Sequence, residues 1–123
     1  MKRIVFVALL LGMASTAAHA ETTEWMRGFK AYYAWAKQER RNITLVAVEC
    51  RDTGKRGLNV ADFEYRITFE ARDPQTPYYW AVGSNFGKVD REARQKGYEL
   101  VSYSAFRRKN SGLLVRCGVW HRK

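Results

Sequence analysis

Few side chains in this chain are suited to acid–base or nucleophilic chemistry. His121 is the only histidine after position 19, and a single histidine cannot supply both a catalytic base and the group that orients it. Glu64 and Glu70 share one face of a predicted strand, but six extended residues separate their Cα atoms by about 20 Å. Paired catalytic carboxylates lie much closer together. The sequence therefore predicts a protein that is not an enzyme.

Motifs for cofactors and metal ions are also missing from the sequence. The chain has no phosphate-binding glycine loop, dinucleotide fingerprint, zinc pattern or EF-hand. Two thiols without histidine partners make a poor metal site. We therefore expect no cofactor and no metal.

The first 20 residues have the layout of a secretory signal peptide. Lys2-Arg3 gives a positive start, residues 4–13 form an apolar run, and Ala18-His19-Ala20 offers the small residues of a cleavage site. The run is too short to cross a membrane, which takes about 20 apolar residues. We expect cleavage after Ala20. The mature protein, residues 21–123, is then secreted or periplasmic and forms a single α+β domain.

Export changes the meaning of the two cysteines. Cys50 and Cys117 are the only ones in the chain, and an even number of cysteines in an oxidising compartment usually forms disulfides. Only one pairing is possible. We expect a Cys50–Cys117 disulfide.

The mature protein is strongly basic. Loss of Lys2 and Arg3 leaves 20 basic against 12 acidic residues, a formal charge of +8. Such a charge favours anionic partners, including acidic glycans, lipid headgroups and acidic envelope proteins. Nucleic acid is disfavoured because an exported protein meets little of it. Solubility alone is the alternative explanation of the charge.

Sixteen of the 103 mature residues are aromatic. Most of them are needed for the core of so small a domain. A subset could instead stack on a ligand beside arginine side chains. The candidate ligand-binding residues are Tyr79, Trp80, Tyr103, Arg107, Arg108 and Trp120.

Hydrophobic periodicity predicts two helices and five strands. The aromatic residues at positions 25, 29, 32 and 33 predict one face of a helix over residues 23–40, and a shorter helix follows Asn85. The predicted strands are 43–50, 62–70, 78–83, 98–106 and 113–121. The order α-β-β-β-α-β-β favours one antiparallel sheet of about five strands with both helices on one face. The two halves are also similar, since each runs from a helix into a strand with a Leu-Val pair, which allows an internal duplication.

The second half resembles one unit of the bacterial tandem repeat domain, a lectin-like repeat of secreted proteins. The resemblance covers residues 78–121 and rests on Trp80-Ala81-Val82, Phe86, the segment from Gly97 to Ser104, and Cys117-Gly118-Val119-Trp120. It implies a secreted, non-catalytic repeat that binds glycans or proteins. It supplies no catalytic residue.

Two functions remain open at the level of sequence. The first is an exported, non-catalytic binding or accessory module for an acidic glycan or another envelope component. The second is a small secreted inhibitor or effector that docks a partner protein through a loop, either residues 51–59 or residues 107–112.

Overall fold

The structure, a computed structural model, describes residues 20–39, 42–54, 63–83, 85–109 and 111–122. The predicted signal peptide, apart from Ala20, and most of the 51–59 loop lie outside these residues. Seven strands and two helices are present: β1 (Ala20–Thr22), β2 (Met26–Arg27), α1 (Gly28–Glu39), β3 (Ile43–Asp52), β4 (Phe63–Ala71), β5 (Tyr78–Gly83), α2 (Phe86–Gln95), β6 (Tyr98–Arg107) and β7 (Leu114–Arg122).

The strands form two antiparallel sheets. In the first sheet β4 is central, with β3 along one edge and β1 and β2 following each other along the opposite edge. In the second sheet β7 is central, between β5 and β6. The predicted fold class, a single α+β sheet of about five strands with two helices on one face, is therefore wrong. More of the described chain is in strands than in helices.

The reason for two sheets lies in β7, which is buried on both faces. Val115, Cys117 and Val119 alternate onto the face that packs against the first sheet. Gly118 and Trp120 alternate onto the opposite face, which α2 covers. A strand that is apolar on both faces needs a covering layer on each side. The helices consequently lie in different layers, with Ala31 of α1 in the core between the sheets and α2 on the far side of the second sheet.

The helix predicted over residues 23–40 begins only at Gly28, because tertiary contacts hold the preceding segment in an extended conformation. The Thr23 N–H donates to Ile67 O, and the Thr23 hydroxyl accepts from the Ile67 N–H. The Trp25 ring lies under two guanidinium groups. The distance from the guanidinium carbon to the ring centroid is 4.1 Å for Arg51 and 4.8 Å for Arg66. Each arginine also binds a glutamate, and the hydrogen bonds from Arg66 lower the pKa of Glu49.

The predicted Cys50–Cys117 disulfide is confirmed. It joins β3 of the first sheet to β7 of the second, with the two Cα atoms 6.3 Å apart and both cysteines buried. Closing a loop of 67 residues stabilises the fold by about 4 kcal/mol in the chain-entropy description. The bond therefore holds the two sheets together at their shared core.

The two sheets repeat one pairing plan. In the first sheet the register shifts after Leu45, the third residue of β3, which pairs with Phe69, the seventh residue of β4. In the second sheet the register shifts after Leu100, the third residue of β6, which pairs with Trp120, the seventh residue of β7. The residue after each leucine is thus a β-bulge at the same place in each sheet.

The contact between α2 and β7 depends on a glycine. A Cβ atom at Gly118 would lie 2.8 Å from Cε2 of Phe86 and 3.0 Å from Cδ1 of Leu100, closer than carbon atoms can approach. We predict that Gly118→Ala lowers the free energy of unfolding by about 1–3 kcal/mol, because α2 must shift away from the sheet. Urea unfolding measures this difference.

Gly87→Ala is the matched control. Gly87 lies in α2, and the nearest atom to a Cβ there is 3.8 Å away, on Arg91. The added methyl group should leave stability unchanged or raise it by about 0.5–1 kcal/mol, since alanine favours helices over glycine. Equal stability of Gly118→Ala and the wild type would contradict the described packing of α2.

Candidate functional site

The structure does not bring the six predicted ligand-binding residues together. Trp120 and Arg108 are 0% and 2% exposed, so neither offers surface to a ligand. Tyr79 is 38% exposed, and Trp80 is half-buried beside it on β5. Tyr103 is 53% exposed but packs edge-on against Phe86 at the start of α2. The candidates that keep exposed surface are thus split between two strands, with Tyr79 and Trp80 on β5 and Tyr103 and Arg107 on β6.

Arg108 has a structural role. Its Nε lies 3.4 Å from Oδ1 of Asp52, and its guanidinium lies over the Phe63 ring, 4.9 Å from the centroid. The second oxygen of Asp52 accepts the Lys109 N–H, and this hydrogen bond is the main cause of the lowered pKa of Asp52. The exposed Arg107 donates to Gly112 O within the same turn. Docking of a partner protein through residues 107–112 stays a prediction.

Trp120 fastens α2 to the second sheet. Its indole N–H donates to Oδ1 of Asp90 at 2.8 Å, and its ring packs on Phe86 with 5.0 Å between centroids. The pKa of Asp90 is lowered, mainly by the indole hydrogen bond and further by Arg94. A sequence cannot reveal this pairing, because 30 residues separate the two partners.

An open groove of about 550 Å³ lies beside β5. Aromatic side chains from three separate elements meet there, and the turn of residues 75–77 completes the wall. The aromatic lining residues are Trp35 of α1, Tyr78, Tyr79 and Trp80 of β5, and Tyr98 of β6. No lining residue among those described carries a carboxylate, an imidazole or a thiol. The groove is therefore suited to binding a ligand by contact with aromatic rings.

Hydrogen bonds fix the walls of this groove. The Trp35 indole donates to the Tyr78 hydroxyl at 2.8 Å, and the two tryptophan rings, Trp35 and Trp80, lie 5.7 Å apart. The turn is held to β3 because the Thr76 N–H donates to the hydroxyl of the buried Thr44 at 3.0 Å. The groove is thus formed before any ligand arrives.

The aromatic surface extends from the groove along α1. Tyr32 lies 5.6 Å from Trp35 and 5.8 Å from Tyr33, measured between ring centroids. Tyr32 and Tyr33 are 49% and 67% exposed. The sequence pattern assigned both tyrosines to the buried face of the helix, whereas the structure buries Ala31 and half-buries Trp35. Sequence reasoning missed Trp35 and Tyr98 because the residues that each of them contacts at the groove are distant from it along the chain.

Two cations flank the tyrosine pair on the other wall. The rings of Tyr79 and Tyr98 lie 4.5 Å apart. Lys96 Nζ is 3.3 Å from the Tyr79 hydroxyl and 5.6 Å from the ring centroid, and the Arg122 guanidinium is 5.9 Å from the Tyr98 centroid. Neither cation lines the groove, but each contacts one of its tyrosines, so positive charge lies beside the aromatic rings. We define the groove residues as the five aromatic residues named above together with Lys96 and Arg122.

His121 pairs in register with Tyr78 and is not among the residues that line the groove; its Nε2 is 2.8 Å from Leu45 O. The structure contains no group of three or more potential metal ligands within the described ranges. The expectations of a non-catalytic protein without a metal stay predictions.

The Asp90–Trp120 contact predicts a pH dependence of stability. A carboxylate with a lowered native pKa stabilises the fold above its ordinary pKa, about 3.9, and this contribution is lost as the pH falls through the native value. Asp90→Asn keeps an acceptor for the indole but removes the charge. We predict that the variant loses less stability than the wild type between pH 6 and pH 3, as measured by urea unfolding.

Glu92→Gln controls for the loss of a negative charge from the same helix, because Glu92 is exposed and has no described hydrogen bond. It should keep the wild-type loss of stability. An Asp90→Asn variant with the full wild-type loss would show that the indole hydrogen bond does not depend on the carboxylate charge.

No known protein family, curated protein or solved structure matches this chain. The resemblance of residues 78–121 to the bacterial tandem repeat domain stays a prediction. Among the residues that the structure describes, no helix has the length and apolar character to span a membrane.

Proposed function

We propose that this protein is an exported, non-catalytic binding module that holds a saccharide of the cell envelope in the groove beside β5. The observation that carries this proposal is the convergence of five aromatic side chains on one open groove. Such a surface is unusual because the tyrosine and tryptophan side chains of a small domain are normally buried in its core. Here Trp35, Tyr78, Trp80 and Tyr98 pack against the core with one part of each ring system and stay partly exposed at the groove.

A saccharide suits the chemistry of this groove. One face of a pyranose ring presents C–H groups that pack on aromatic rings, while its hydroxyl groups need hydrogen-bonding partners. The groove offers both, since its tyrosines and tryptophans join an apolar ring to a polar O–H or N–H group. Its volume, about 550 Å³, falls within the range of small-molecule pockets. An open groove also admits the continuing chain of a polysaccharide.

Two observations support export. The first 20 residues have the layout of a signal peptide, and the Cys50–Cys117 disulfide suits an oxidising compartment. Cleavage after Ala20 would remove only the first residue of β1 and leave Glu21 and Thr22 paired with β4. The fold and the proposed processing are compatible.

Tyr79 is the groove residue whose replacement tests the proposal most directly, because it is the most exposed of the five rings. A panel of bacterial envelope oligosaccharides identifies the tightest ligand, and calorimetry gives its dissociation constant. We predict that Tyr79→Ala weakens this binding at least about tenfold, which corresponds to a loss of ~1.4 kcal/mol. The lost contribution is the ring face against which the sugar packs.

Tyr103→Ala is the matched control, since it removes an exposed tyrosine that lies outside the groove. It should bind as the wild type does. Equal binding by Tyr79→Ala and the wild type would reject the groove as the site, and a loss confined to Tyr103→Ala would place the site on β6. Failure of the wild type to bind any envelope saccharide would reject the proposed function.

A further inference from the structure

We propose that the groove selects acidic saccharides, and that Lys96 and Arg122 recognise the carboxylates of a hexuronic acid chain. This inference rests on the proposed function and adds the chemical class of the ligand. It assigns the selectivity to two residues that lie outside the basic clusters apparent in the sequence.

The charges of these two cations are available to a ligand, whereas five of the thirteen other described cations are held in ion pairs. Five arginines each hold a carboxylate within 4.0 Å: Arg51, Arg66, Arg72, Arg94 and Arg108. Within the described ranges, neither Lys96 nor Arg122 has a carboxylate partner at that distance. Each lies over a tyrosine ring instead. A cation on an exposed aromatic face is held weakly, and it can turn towards an anion that enters the groove.

The fold places both cations on the same side of the second sheet. Arg122 is the register partner of Tyr98, and side chains of directly paired residues share one face of a sheet. Lys96 follows the last turn of α2, which covers that same face, and it contacts Tyr79. The two cations therefore flank one tyrosine pair. A sugar that packs on these rings brings its substituents within reach of positive charge.

The nearest acidic residue along the chain does not cancel this charge. Glu99 follows Tyr98 directly, so its side chain alternates to the opposite face of β6. There it pairs in register with His121. No acidic residue lines the groove among the residues described. An anionic ligand that packs on Tyr79 and Tyr98 thus meets two cations, while Glu99 lines the neighbouring cavity on the other side of Tyr98.

Selectivity for a carboxylate can be isolated from binding of the sugar ring. The probes are oligosaccharides of galacturonic, mannuronic and glucuronic acid and their carboxyl-reduced counterparts, which keep the ring and lose the charge. We expect the wild type to bind at least one acid about tenfold or more tightly than its reduced form in low salt. The preference should shrink as salt is added, because screening weakens attraction between exposed charges.

The double variant Lys96→Gln/Arg122→Gln should lose this preference and keep the affinity for the reduced form. The matched control is Lys88→Gln/Lys109→Gln, which removes the same net charge from exposed positions at the start of α2 and beyond the far end of β6. It should keep the preference. Because the two variants have equal net charge, general attraction between a basic protein and an anion cannot separate them.

The outcomes distinguish this inference from the proposed function. If acid and reduced forms bind equally to the wild type, or the preference survives in Lys96→Gln/Arg122→Gln, the inference is wrong and saccharide binding still stands. Equal loss of preference in both double variants, or equal competition by a single-stranded DNA of the same charge, would also overturn it by reducing the effect to net charge. If neither form binds, both the proposed function and this inference are wrong.

Discussion

The whole fold depends on the fact that β7 is apolar on both faces. One face carries Val115, Cys117 and Val119, and the other carries Gly118 and Trp120, so each face must be packed against another layer. The first sheet covers the former face and α2 covers the latter. A Cys50–Cys117 bond fixes the first contact, and the Asp90–Trp120 hydrogen bond fastens the second. A single sheet with both helices on one face would leave half of these side chains in water, at a cost proportional to the apolar area exposed.

The same layering creates the groove. Because β5 is an edge strand of a sheet covered on both sides, its alternating side chains point into two different layers. Trp80 meets Trp35 of α1, while Tyr79 meets Tyr98 of β6. The aromatic rings around β5 therefore have partners without being sealed in the core. A binding surface of rigid aromatic side chains is the result, and such side chains lose little conformational freedom when a ligand arrives.

Local patterns predicted five of the seven described strands, and the cysteine count of an exported chain predicted the disulfide, whereas β1 and β2 were missed because only their pairing with β4 makes them strands. The alternation of Phe63, Tyr65 and Ile67 identifies a half-buried strand by itself. One sheet was expected from the order of the elements because nothing local shows that β7 is covered on both faces, and Trp120 was expected at a ligand-binding surface whereas it packs under α2. Tyr79 and Trp80 were found from composition, yet Arg108 was expected at the surface because nothing local shows that Asp52 and Phe63 surround it. Lys96 and Arg122 were missed since only the folded sheet sets them beside the tyrosines.

The four tryptophans give the most direct test of the central claim, because two of them lie at the groove and two do not. Trp25 is on the outer face of the first sheet, and Trp120 is buried under α2. The measurement is a titration of the ¹⁵N-labelled protein with a hexuronic acid oligosaccharide, followed by the indole N–H resonances. Binding in the groove predicts that the Trp35 and Trp80 signals shift together and saturably, while the Trp25 signal stays in place. A saturable shift of Trp25 with unchanged Trp35 and Trp80 would contradict the account.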